Sequence, residues 1–191
     1  MRVAARITRS FTAPRRNDRA VDGVLTLASD CDGWLGDCGI DYSVTVPPRT
    51  RILVDVGSGD VSIADVDARG PLVVRGGSGD VDLRDVRARD LSVRLGSGDL
   101  AAEGLRIPLV TAEVGSGNLQ LTLDGALQRV RTRAGSGDIA ISVPPRPSYR
   151  IDVDTGSGDA SVDEALAHDD RSPRSLSASA GSGDIAIDAG P

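Results

Sequence analysis

Ile52-Leu53-Val54-Asp55-Val56-Gly57-Ser58-Gly59-Asp60-Val61-Ser62-Ile63 reads as two short strands around a tight turn. Before the turn, Ile52, Val54 and Val56 alternate with Leu53 and Asp55; after it, Val61 and Ile63 flank Ser62. Alternation with a period of two is the mark of a strand with one buried face. Glycine suits the turn because it takes positive φ at little cost. The tetrad Gly57-Ser58-Gly59-Asp60 then returns at Gly77, Gly96, Gly115, Gly135, Gly156 and Gly181, with Asn118 replacing Asp once. Successive steps are 20, 19, 19, 20, 21 and 25 residues. A fixed period of this length predicts a solenoid, in which each repeat is one coil and stacked coils share a core.

The rows hold through the copies. Five residues before each tetrad stand Ile52, Leu72, Leu91, Val110, Val130, Ile151 and Leu176. Two residues before stand Asp55, Arg75, Arg94, Glu113, Arg133, Asp154 and Ser179. Parallel stacking in sequence order places Asp55 by Arg75, Arg94 by Glu113, Glu113 by Arg133 and Arg133 by Asp154. Opposite charges facing each other across strands favour that register over a hairpin array, though each exposed pair contributes only a few tenths of a kcal/mol. The fold class read here is therefore all-β: a single-domain β-solenoid of about 19–21-residue coils stacked in parallel. Residues 1–23 are a lead-in strand and basic loop, and residues 24–191 are the solenoid.

Composition agrees. Aromatics are 2% of the 191 residues, as expected if a narrow core holds rows of Val, Ile, Leu and Ala. Net charge is -6, and the first 20 residues hold six Arg against one Asp, so the body is acidic. That argues against a nucleic-acid partner, which needs a basic surface. No apolar run is long enough to span a membrane, and Met1 to Arg16 lacks the apolar stretch of a signal peptide.

Three regions depart from the regular pattern. Cys31 and Cys38 bracket a short loop, and Cys38-Gly39-Ile40-Asp41 stands where an early, degenerate tetrad would fall. The pair closes into a disulfide if the Cα atoms come within about 7 Å, which would mark an oxidising compartment; otherwise they are free thiols. Val46-Pro47-Pro48-Arg49 and Val143-Pro144-Pro145-Arg146 are corners, since proline has no N–H for a ladder. Asp163 to Ser175 lengthens the last step and is read as a bulging loop carrying the only histidine, His168. The last stretch, Ile185 to Pro191, is read as the open end of the stack, blunted by Asp188 and Gly190-Pro191.

Candidate sites follow from the columns. Asp41, Asp60, Asp80, Asp99, Asn118, Asp138, Asp159 and Asp184 stack about 4.8 Å apart. They are either a calcium row or caps, each accepting an N–H of its own turn; Asn118 caps as well as Asp and binds Ca²⁺ less well, which favours caps. No metal and no cofactor is expected. Catalysis has little support, because the carboxylates are repeated rather than singular and nothing joins His168 to a nucleophile. Ser62, Asp82, Ala101, Gln120, Ala140, Ser161 and Ala186 form a bland outward row, suited to packing on a partner or to plain exposure.

The repeated Gly-Ser-Gly-Asp turns, the Val-Pro-Pro-Arg-Thr lead into Val54 to Asp60 and the upstream Cys-Gly-Ile-Asp-Tyr segment resemble the bacterial adhesin-like toastrack β-solenoid family over about residues 20–191. The resemblance implies a right-handed bacterial β-helix, often displayed outside the membrane behind an N-terminal anchor helix, with no catalytic residues to carry over. The expected function is a non-enzymatic cell-envelope binding, adhesion or structural module with a protein or cell-surface partner. The alternative is a cytoplasmic self-assembling scaffold like the bactofilins, associating through solenoid ends or faces, if Met1 is the true start. A polysaccharide-acting β-helix enzyme is the distant third.

Overall fold

The computed structural model describes residues 2–9, 15–21, 24–27, 29–30, 38–68 and 70–190. They fall into two compact units, Met1–Pro47 and Pro48–Pro191. In the first unit, β1 (Arg2–Arg9) pairs antiparallel with β6 (Cys38–Thr45). Two short antiparallel pairs accompany it: β2 (Arg15–Arg16) with β5 (Ser29–Asp30), and β3 (Arg19–Val21) with β4 (Val24–Thr26). Cys38 to Asp41 is thus strand rather than turn, with Ile40 opposite Ile7 and Asp41 opposite Arg6. The column of turn aspartates begins at Asp60, not at Asp41.

The second unit is the β-solenoid. Each coil gives one strand to each of two seven-stranded parallel sheets. The strands before the turns are β7 (Ile52–Ser58), β9 (Pro71–Ser78), β11 (Asp90–Ser97), β13 (Leu109–Ser116), β15 (Arg129–Ser136), β17 (Arg150–Ser157) and β19 (Ser175–Ser182). Those after the turns are β8 (Val61–Ala64), β10 (Val81–Arg84), β12 (Leu100–Leu105), β14 (Leu119–Leu123), β16 (Ile139–Val143), β18 (Ala160–Val162) and β20 (Ile185–Ala189). The inward rows run in unbroken register: Leu72, Leu91, Val110, Val130 and Leu176 on one sheet, Val81, Leu100, Leu119, Ile139 and Ile185 on the other. All ten are at most 2% exposed. Each such side chain contributes roughly 1.5–3 kcal/mol through burial, so the rows hold the stack together.

The tetrad's glycines have separate reasons. The third residue has positive φ in every copy, from 111° to 134°. The first is required by stacking, because a Cβ at Gly77, Gly96, Gly115, Gly135 or Gly181 would lie 2.3–2.5 Å from the carbonyl oxygen of the first glycine in the adjoining coil.

The coil order differs from the chain order. The sheets run β7-β9-β11-β13-β15-β19-β17 and β8-β10-β12-β14-β16-β20-β18. The last coil, β19–β20, is inserted between β15–β16 and β17–β18. The open end of the stack is therefore β17–β18, and the final strand β20 is interior, bonded to β16 and β18. The outer rows explain the exchange. Beyond the tetrad, β17 presents Arg150, Asp152 and Asp154, while β19 presents Ser175, Ser177 and Ser179. Charge on an edge strand discourages further pairing, and small neutral residues suit a strand flanked on both sides. The segment after β18 makes the return. It is not a bulge away from the body: Leu166 and Ser172 are buried, and His168 bridges Tyr149 in parallel. The Tyr149 hydroxyl, buried under this crossing, donates to the Pro144 carbonyl at 3.1 Å.

Candidate surface site of the solenoid

The outer face of the β7-to-β17 sheet carries the charged row. A shallow groove of about 660 Å³ runs along it, lined by the first glycines of four coils, Gly57, Gly77, Gly96 and Gly115, and by Asp55, Arg75, Arg94, Glu113 and Arg133. Arg94 Nε donates to Glu113 Oε2 at 2.9 Å, and Arg75 reaches Asp55 at 4.0 Å. Arg75 lies beside Arg94 and Glu113 beside Arg133, as the repeat register requires. The expected Arg133–Asp154 neighbourhood is not formed, since both stand beside Ser179. These pairs are well exposed, so they mark register and add little stability.

The turn aspartates form a second array. Asp60 Oδ1 accepts the N–H of Asp80 at 3.0 Å, Asp80 that of Asp99 at 2.8 Å, and Asp99 that of Asn118 at 2.7 Å. Asn118 Oδ1 accepts from Asp138, Asp138 from Asp184, and Asp184 from Asp159. The caps are thus between coils, not within one turn. The direction of each bond follows the stack, and Asn118 serves because only a carbonyl-type acceptor is needed. Among the described residues no three His, Cys, Asp or Glu side chains converge as metal ligands.

The remaining candidates stay apart. His168 is exposed, its Nε2 3.0 Å from Asp170 Oδ1. Ser172 Oγ donates to the Ser148 carbonyl at 2.7 Å and is buried, so it is spent on structure. Cys31 lies outside the described residues, and only the backbone of Cys38 is described. The bland row occupies the outer face of the other sheet, with Ala186 between Ala140 and Ser161 because of the coil exchange. What the sequence reading missed is a stripe on β15: Arg129, Arg131 and Arg133 are all exposed on one face. Their alternation was visible, but their separation from Asp152 and Asp154 depends on the coil order. No helix among the described residues is long and apolar enough to cross a membrane.

Neither the curated proteins nor the solved structures provide a match to this chain. The family model Toastrack DUF4097 matches residues 42–190, which take in the whole parallel stack. The chain belongs to the Toastrack DUF4097 family.

Proposed function

We propose that the chain is a non-enzymatic binding or structural module of the bacterial cell envelope, acting by presenting a rigid solenoid surface to a protein or cell-surface partner. The observation that carries this reading is the repetition of the surface itself. Two seven-stranded sheets in one register hold rows of side chains at strand spacing, about 4.8 Å. A long shallow groove of this kind offers many equivalent contacts and no enclosed chamber from which water is excluded for chemistry. The carboxylates point the same way. Each from Asp60 to Asp138, and Asp184, spends one oxygen on a neighbouring N–H, and none is set apart in an acid–base pair.

Self-assembly is the second reading, supported by the open edge of β17–β18, where Ile151 and Val153 are only half-buried and Val162 is exposed. Head-to-tail stacking in the repeat register has charge against it. It would set Arg150 of one copy beside Arg51 of the next, and Asp154 beside Asp55. Like charges directly opposite are unfavourable.

The test is co-sedimentation of the purified chain with isolated bacterial envelope fragments, alongside sedimentation velocity of the chain alone. Retention on the fragments by a monomer is the expected result. A chain that stays in the supernatant and grows into long polymers with concentration would overturn the envelope reading in favour of the scaffold.

A further inference from the structure

We propose that the outer face of β15, together with the serine strand β19 beside it, binds the carboxylate groups of an acidic polysaccharide. The inference rests on the binding-module reading above and names its partner class.

Arg129, Arg131 and Arg133 stand at alternate positions, so their Cα atoms are about 6.7 Å apart along one strand. Among the described residues none of the three guanidiniums has an ion pair or a side-chain hydrogen bond. Their neighbours on β13 are Leu109, Thr111 and Glu113. Glu113 is the one acid there, and Arg94 already holds it at 2.9 Å. On the other side stand Ser175, Ser177 and Ser179. The next acids outward, Asp152 and Asp154, are two strands away, about 9.6 Å. The inserted last coil is what separates the arginines from these acids. In chain order Arg131 would face Asp152, and Arg133 would face Asp154. A concentrated positive stripe thus persists on a chain whose net charge is -6. Like charges held in a row repel, and an anionic ligand relieves the repulsion.

The surroundings select the ligand. A guanidinium grips a carboxylate through two parallel N–H···O bonds. The serine hydroxyls both donate and accept, which suits sugar hydroxyls. No aromatic side chain lies in the β13, β15 or β19 rows. A single-stranded nucleic acid would call for stacking platforms, and an acidic peptide for a buried apolar or aromatic anchor; this part of the face has neither. A carboxylated, hydroxyl-rich polymer needs only what is present.

The probe is polygalacturonate, titrated into the purified chain by calorimetry, with dextran as the neutral control. Polygalacturonate should bind, more weakly as salt is raised, and dextran should not. The triple variant Arg129→Ser, Arg131→Ser, Arg133→Ser should lose about tenfold or more in affinity, and Arg84→Ser on the other sheet should lose none. Serine already occupies the same rows of β19, so the triple variant should keep the wild-type melting temperature. Undiminished binding by a folded triple variant, no binding by the wild type, or tighter binding of polyglutamate or single-stranded DNA would overturn the proposal. Binding of polygalacturonate without retention on envelope fragments would support the stripe while sinking the envelope reading. Retention of the triple variant on fragments, equal to wild type, would do the reverse.

Discussion

Coils β17–β18 and β19–β20 carry the same tetrad in the same register, yet one closes the stack and the other lies within it. In β19 the inward residues Leu176 and Ala178 are at most 2% exposed, whereas in β17 Ile151 and Val153 are half-buried. In β20 Ile185 and Ile187 are buried, whereas in β18 Val162 is 41% exposed. The local pattern is equivalent; the environment is not. A neighbour on both sides, rather than the repeat motif, decides how much each residue contributes.

That contrast can be pressed by substitution. Leu176→Ala should remove about 2–5 kcal/mol from the unfolding free energy, because its site is closed on both sides and cannot relax fully. Ile151→Ala should remove only about 1–2 kcal/mol, since part of that side chain is already in water. Urea unfolding of the two variants measures the gap, and equal losses would show that the two coils share one environment. Glycine offers a second contrast. A Cβ at Gly181 meets the Gly135 carbonyl oxygen at 2.5 Å, while one at Gly57 meets no described atom within 4 Å. Gly181→Ala should cost about 1–3 kcal/mol by forcing the strands apart. Gly57→Ala should stay within about 0.5 kcal/mol of wild type, and thermal melting distinguishes the two.

The smallest effect concerns the aspartate ladder. Asp184 Oδ1 receives the Asp159 N–H at 2.8 Å, but the Asp159 carboxylate, at the open edge, receives no N–H among the described residues. Asp184→Ala should therefore cost about 1 kcal/mol and Asp159→Ala close to nothing. Hydrogen exchange sharpens this. Loss of the Asp184 carboxylate should speed exchange of the Asp159 amide, and unchanged protection there would contradict the ladder.

The rows were legible in the sequence because the repeat period is regular and each row keeps its character. Val110, Val130 and Leu176 could be placed in one buried line from spacing alone, and the Arg94–Glu113 pair followed from the same count. Coil order was not legible. The inward residues of one coil fit equally well against those of any other, so Ile151 and Leu176 exchange places without conflict. Two signs were present: the serine row against the charged row, and the 25-residue step before Gly181. The step reads as a loop until Leu166 and Ser172 of the crossing itself are seen to be buried. The arginine stripe was hidden for the same reason. Arg133 looks paired with Asp154 until β19 comes between them. The turn aspartates were found as a column, but whether each bonds within its own turn or across to the next depends on side-chain geometry that spacing does not carry.

The coil order is the claim on which the edge, the ladder and the stripe all depend, and cysteine cross-linking tests it most directly. Ser136 and Ser182 are register partners on adjacent strands, as are Ser182 and Ser157, so Ser136 and Ser157 are two strands apart. Adjacent strands are within disulfide reach and strands about 9.6 Å apart are not. Oxidised protein carrying Ser136→Cys and Ser182→Cys should yield the cross-linked peptide by mass spectrometry, and protein carrying Ser136→Cys and Ser157→Cys should not. The opposite result, a bridge from 136 to 157 and none from 136 to 182, would place the coils in chain order and contradict the account.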